Sequence, residues 1–78
     1  MKEKTMCLVA VFHTTAEAMA TEKICKAENL DGKLISAPRT LTADCGIAWR
    51  APLAAAEATK AALAREKVEV QGFYEILL

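Results

Sequence analysis

Apolar residues along the chain occur first in a continuous run and then at helical spacing. Residues 6–12 form an uninterrupted apolar run of strand length, which predicts a central strand covered on both faces. Downstream, apolar residues recur at three- and four-residue intervals between Ala16 and Leu30, which is typical of an amphipathic helix. Gly32 is expected to stop this helix, because glycine readily adopts the left-handed backbone of a helix end.

The start of this helix has the pattern of a capping box. Thr14 is expected to accept a hydrogen bond from the third helical amide, and Glu17 to reach back to the amide of Thr14. The pattern therefore predicts that the helix begins at Thr14.

The second half of the chain repeats the alternation of strand and helix. Residues 33–37 form a short second strand, ended by Pro38, which cannot donate to a strand ladder. Residues 47–50 form a third strand after a long loop over residues 38–46, and loops of this length are often functional.

A second helix and a final strand complete the pattern. Pro52 fits the first turn of a helix, and residues 53–67 are rich in strong helix formers. Residues 68–78 form the last strand, with a bend or bulge at Gly72. The order β-α-β-β-α-β predicts one α+β domain over residues 1–78. Its expected fold is a ferredoxin-like split β-α-β, with a four-stranded antiparallel sheet and both helices on one face.

Charge and hydropathy exclude several classes of partner. Ten basic residues balance ten acidic ones and no basic block occurs, so a nucleic-acid partner is not expected. The longest apolar run is far shorter than the roughly 20 residues that cross a membrane. The N-terminus does not resemble a signal peptide, so we expect a cytoplasmic protein.

The sheet face away from the helices is a candidate for self-association. We expect it to carry some of the apolar surface of Phe12, Trp49 and Tyr74, which an exposed face would bury against a second copy. A homodimer is the resulting prediction.

The three cysteines are irregularly spaced, which favours free thiols over a disulfide framework. Cys7 and Cys25 are expected to be packing residues. Cys45 has two interpretations: a reactive loop thiol, or a small apolar residue at the start of a strand. Because His13 is the single histidine and lacks a paired ligand motif, no preformed metal site is expected, and a site shared by Cys7, His13 and Cys45 is the less favoured alternative. Chemistry at a free thiol needs no cofactor, so none is expected.

The topology predicts where chemistry would occur. The first two strands run in the same direction, so the turn at His13, Thr14 and Thr15 should lie at the same sheet edge as the loop that holds Cys45. A helix N-terminus and nearby cations can lower the pKa of a thiol. His13 would serve as a base beside Cys45 or simply pack on the sheet end.

The other polar residues near this edge also allow two interpretations. Thr14 and Thr15 would cap the helix, or their amides and hydroxyls would bind an anion. Arg39 and Arg50 would clamp that anion, or remain solvated. Gly46 would let a partner approach Cys45 closely, or simply turn the chain into the third strand.

Three segments form a characteristic set: Cys-Leu-Val-Ala-Val-Phe-His-Thr-Thr at 7–15, Ala-Pro-Arg at 37–39 and Asp-Cys-Gly-Ile-Ala-Trp-Arg at 44–50. Together they resemble the putative selenium/sulfur carrier protein-like family of small bacterial domains. The resemblance implies that Cys45 is the carrier thiol, surrounded by Gly46, Arg39, Pro38 and the turn at 13–15. Asp44 replaces the serine more usual in the family, which makes the surroundings of the thiol less electropositive.

Two hypotheses about function follow. In the first, Cys45 accepts sulfur or selenium from a donor protein, as a persulfide or selenosulfide, and passes it to an acceptor protein. In the second, a non-catalytic dimeric module holds a small anionic ligand at Thr14, Thr15 and Arg39. Whether the chain is an enzyme stays open: Cys45 as nucleophile with His13 as base lacks an evident oxyanion device.

Overall fold

Within residues 4–78, which the computed structural model describes, strands and helices follow in the predicted order β-α-β-β-α-β. The elements are β1 (Met6–Val11), α1 (Thr15–Ala27), β2 (Lys33–Ser36), β3 (Ile47–Pro52), a 3-10 turn (Leu53–Ala55), α2 (Ala56–Arg65) and β4 (Gly72–Leu77). The four strands form one antiparallel sheet in the order β2-β3-β1-β4. This is the α+β, ferredoxin-like arrangement that the sequence predicts.

Strand β1 is buried on both faces, as its continuous apolar run predicts. Side chains alternate across a strand, so Leu8 and Ala10 enter the core beneath the helices while Val9 and Val11 point to the opposite face. All four are fully buried.

The face away from the helices is covered in part by the loop between β2 and β3. Val9, Val11 and Ala48 form a second apolar cluster on this face. The partly buried residues that pack against it include three from the β2–β3 segment, namely Ala37, Leu41 and Ala43. The long loop therefore has a structural role, because it shields the central strands from water.

The expectation that Phe12 and Trp49 contribute to an exposed sheet face is wrong. Both side chains lie in the helix-side core and are 0% and 1% exposed respectively. Tyr74, which pairs with Val9, does lie on the opposite face and is 39% exposed. The apolar surface left for self-association is therefore smaller than the sequence suggests.

Helix α1 ends earlier than predicted, at Ala27 instead of near Gly32. The left-handed residue is Asn29, with φ 56°. The amide of Leu30 donates to the Cys25 carbonyl at 2.8 Å, and the amide of Asn29 donates to Lys26. These are the two bonds of a Schellman motif, which asparagine can close in place of glycine.

Helix α2 is shorter than predicted at its start. Pro52 is the last residue of β3, and a 3-10 turn separates it from Ala56, where α2 begins. At its other end, Lys67 has φ 57°, and the amide of Val68 donates to Leu63 at 2.9 Å. No helix within residues 4–78 is long and apolar enough to cross a membrane.

Candidate functional site

One edge of the sheet brings the β1–α1 turn and the end of the β2–β3 loop together. Val11, the last residue of β1, pairs with Ala48 near the start of β3 and with Gly72 at the start of β4. Beyond the paired residues, the amide of Cys45 donates to the carbonyl of Phe12 at 3.4 Å. His13 and Cys45 are thus held at the same edge, as the strand directions predict.

His13 is bound to Asp44, the neighbour of Cys45 in the chain. The Nδ1 of His13 donates to Oδ2 of Asp44 at 2.9 Å, and the amide of Asp44 donates to the side chain of Gln71 at 3.0 Å. These bonds tie the turn after β1, the loop before β3 and the segment before β4 into one network. Gln71 is a member of this network that the sequence did not indicate.

The charges around His13 are negative. The hydrogen bond to Asp44 raises the pKa of His13 above its ordinary value. Desolvation opposes this shift, and the charges of Asp44, Glu69 and Glu17 add to it. The same hydrogen bond lowers the pKa of Asp44. Near neutral pH this edge therefore presents carboxylates, which favour a protonated imidazole and oppose a second anion.

Thr14 forms the predicted capping box. Its Oγ1 accepts from the amide of Glu17 at 3.4 Å, and its own amide donates to the Glu17 carboxylate at 3.1 Å. Thr15 is the first residue of α1 and is exposed. The Glu17 carboxylate already occupies the positive end of the helix, so an incoming anion would meet a negative charge there.

Cys45 is half-buried. Its Sγ donates to the carbonyl of Ile47 at 3.3 Å, and the side chain packs partly against the helix-side core. Gly46 follows with φ 74°, and apart from its chain neighbours no described residue lies within 4 Å of a Cβ at that position. The space on this side of Gly46 is therefore open, next to a thiol that is itself partly exposed.

The two arginines predicted at this site lie in different places. Arg39 is exposed in the β2–β3 loop. Arg50 lies at the other end of the sheet face, where its Nε donates to the Sγ of Cys7 at 3.4 Å. The structure therefore places Arg50 beside Cys7 and does not bring it to Cys45.

The sequence predicts that Cys7 is a packing residue, but its surroundings in the structure are partly polar. It is 3% exposed, yet it lines an open cavity and is hydrogen-bonded to Arg50 and Thr5. Burial acts to raise the pKa of this thiol, but the bonds from Arg50 and Thr5 and the charge of Arg50 lower it overall. In the β1–β3 register Cys7 pairs with Pro52, so Arg50 lies diagonally opposite Cys7. The sequence alone does not show this register, and the contact between Arg50 and Cys7 was therefore not predicted.

Cys25 behaves as the sequence predicts. It is fully buried in the helix-side core, and burial raises the pKa of its thiol. The protein thus holds its three thiols in three different surroundings, of which Cys45 has the most open one.

Comparison with known proteins identifies the family. No curated protein and no solved structure matches the chain at a significant level. A family model described as putative Se/S carrier protein-like matches residues 7–75, which include every strand and helix apart from the ends of β1 and β4. Because the match extends over most of the sequence, the chain belongs to the putative Se/S carrier protein-like family.

Proposed function

We propose that the protein carries sulfur or selenium on the thiol of Cys45. The thiol accepts the terminal atom of a persulfide or selenosulfide from a donor protein and delivers it to an acceptor protein. The observation that carries this proposal is the placement of Cys45: a half-buried thiol on a loop, directly before a glycine with open space around it.

The transfer needs no reactant besides the donor. The Cys45 thiolate attacks the outer sulfur of a donor persulfide, a new S–S bond forms, and the S–S bond within the donor breaks. The donor leaves as a thiolate, and the proton released by Cys45 is available to it. A selenosulfide donor transfers its selenium in the same way, with an S–Se bond formed and another broken.

The surroundings of Cys45 suit exchange between proteins. Cys45 lies next to Asp44, and the bonds of Asp44 to His13 and Gln71 hold this part of the loop to the sheet edge. In our proposal His13, Thr14 and Thr15 border the surface on which donor and acceptor dock. Such transfer needs reduced thiols, which fits a cytoplasmic location.

The alternative hypothesis, a dimeric module for an anionic ligand at Thr14, Thr15 and Arg39, has less support. The capping box already engages the amides of Thr14 and Glu17, and the carboxylates of Glu17 and Asp44 lie in the same region. This cluster of negative charges disfavours the binding of an anion. A homodimer would be compatible with either hypothesis, and its test is the mass of the protein in solution.

Persulfide loading followed by peptide-resolved mass spectrometry tests the proposal. The reduced protein is incubated with a protein-bound donor, serum albumin that carries a persulfide on its free cysteine, and the peptides containing Cys7, Cys25 and Cys45 are examined for one added sulfur. We expect the added sulfur on Cys45, loss of loading in Cys45→Ala, and release of the sulfur to an added thiol acceptor.

Cys25→Ala is the matched control, because Cys25 is fully buried and its removal should leave the loading of Cys45 unchanged. Circular dichroism verifies that each variant is folded. Equal loading of the wild type and Cys45→Ala would overturn the proposal, as would loading found only on Cys7.

A further inference from the structure

A cavity of about 480 Å³ opens beside Cys7, at the opposite edge of the sheet from Cys45. Its polar lining residues are Thr5, Lys33, Arg50 and Cys7 itself, and its remaining walls include Pro52. This volume is in the range that accommodates small organic ligands.

Two basic residues are among those that line this cavity. Lys33 of β2 and Arg50 of β3 are directly paired across the antiparallel strands, so their side chains leave the same face of the sheet. Neither forms an ion pair with an acidic residue within residues 4–78. Like charges directly opposite one another destabilise a sheet, and an anion between them would offset this.

The thiol of Cys7 is held against one of these cations. Arg50 Nε donates to its Sγ at 3.4 Å, and Thr5 Oγ1 lies 3.6 Å from the same sulfur. These contacts and the charge of Arg50 outweigh burial and lower the pKa of the thiol. A cysteine beside a guanidinium has more thiolate character than a buried cysteine in an apolar core such as Cys25.

We propose that this cavity binds small anionic disulfides and that Cys7 undergoes thiol–disulfide exchange with them. Lys33 and Arg50 attract the anionic groups of the ligand, and Arg50 also holds the attacking sulfur. The site is separate from Cys45 and does not depend on the carrier function.

The exchange is balanced without a further oxidant. The Cys7 thiolate attacks one sulfur of the ligand, a Cys7–ligand disulfide forms, and the ligand's own S–S bond breaks. The second half of the ligand leaves as a thiolate. Cys7 is oxidised and the departing half is reduced, so the ligand itself is the oxidant.

The two thiols would therefore differ in the size of their reactants. Cys7 is 3% exposed, so only a molecule that enters the cavity can reach its sulfur. Cys45 is more exposed, and its neighbour Gly46 has open space around it. A protein-bound persulfide would suit Cys45, whereas Cys7 would select small molecules.

A series of three disulfides of similar size tests the charge preference. Dithiodiglycolate is dianionic, bis(hydroxyethyl) disulfide is neutral and cystamine is dicationic. Modification of Cys7 is followed by peptide mass spectrometry in Cys45→Ala and in the wild type, and each rate is divided by that of 2-mercaptoethanol, a thiol without a charged substituent. We expect the anionic reagent to react about threefold to tenfold faster than the neutral one at low salt, and cystamine slowest.

Lys33→Gln separates attraction from thiol activation, because Lys33 has no hydrogen bond to Cys7. This variant should lose most of the preference for the anionic reagent while keeping the rate with the neutral one. Lys23→Gln is the matched control, because Lys23 is an exposed lysine of α1 outside the cavity lining, and it should change neither. Equal normalised rates for the three reagents, an unmodified Cys7, or an unchanged preference in Lys33→Gln would each overturn the proposal.

Discussion

The imidazole Nδ1 of His13 lies 2.9 Å from Oδ2 of Asp44, and this contact joins the turn after β1 to the residue before Cys45. The two residues are 31 positions apart in the chain, so only the fold brings them together. Both side chains are exposed to solvent, at 45% and 57%. The pair therefore positions the loop but contributes little to overall stability.

The pair should give His13 a distinctive titration. We expect Asp44→Asn to lower the pKa of His13, because it removes the hydrogen bond that raises this pKa most. Proton NMR of the single histidine measures the change. Asp31→Asn is a control, since Asp31 is an exposed carboxylate outside this network; an identical His13 pKa in the wild type and Asp44→Asn would contradict the predicted contact.

The directions of the two pKa shifts define the pH range in which the pair of His13 and Asp44 stabilises the fold. The raised pKa of His13 means that its contribution is complete below the ordinary value of 6.5 and is lost as the pH rises through the raised pKa. The lowered pKa of Asp44 means that its contribution is present above the ordinary value of 3.8 and is lost as the pH falls through the lowered pKa. The difference in unfolding midpoint between wild type and Asp44→Asn should thus be greatest between these two values.

Thr14 offers a test of the capping box at the same edge. Thr14→Ala removes the acceptor for the Glu17 amide and should lower the free energy of unfolding by about 1 kcal/mol. Urea denaturation measures this loss. Thr15→Ala is the control, because Thr15 is exposed within the first helical turn and its change should have a much smaller effect. Equal losses for the two variants would contradict a specific cap at Thr14.

Much of the fold could be predicted because local signals agree with it. The apolar run of β1 and the Thr14–Glu17 pattern depend on neighbouring residues, and both were found where the sequence places them. The helix ends were missed because asparagine and lysine, and not glycine, take the left-handed position at Asn29 and Lys67. Asparagine takes this conformation less often than glycine and lysine rarely does, and the Schellman bonds offset the conformational cost.

The surroundings of Cys7 could not be predicted from the sequence. Its position in an apolar run is typical of packing, and the sequence offers Arg50 as an anion-binding residue at the Cys45 edge. The strand β3 runs away from the Cys45 edge, so Arg50 reaches the diagonal position beside Cys7. That outcome depends on register between strands distant in sequence, which local patterns do not encode.

Gly32 should be intolerant of any side chain. A Cβ at this position would lie 2.5 Å from Cζ2 of Trp49, whose ring is fully buried beneath it. Gly32→Ala must displace the ring or the backbone, and we expect a loss of about 1–3 kcal/mol in unfolding free energy. Fluorescence of the single tryptophan should follow both unfolding and the ring displacement. Stability and emission equal to those of the wild type would contradict this packing.

Substitutions at Gly46 distinguish the role of this residue in the turn from its role in giving reactants access to Cys45. Its φ of 74° is unfavourable for alanine and less so for asparagine, so Gly46→Ala should lose about 1 kcal/mol of unfolding free energy and Gly46→Asn less. Access depends on side-chain size instead, because among residues 4–78, Cys45 and Ile47 aside, nothing lies within 4 Å of a Cβ there. Persulfide loading of Cys45 in the folded variants should therefore be slower for Gly46→Asn than for Gly46→Ala. The loading rates of the two variants could instead follow their stabilities and not the sizes of the new side chains. Gly46 would then serve only to form the turn, and reactants would not approach Cys45 from the side of Gly46.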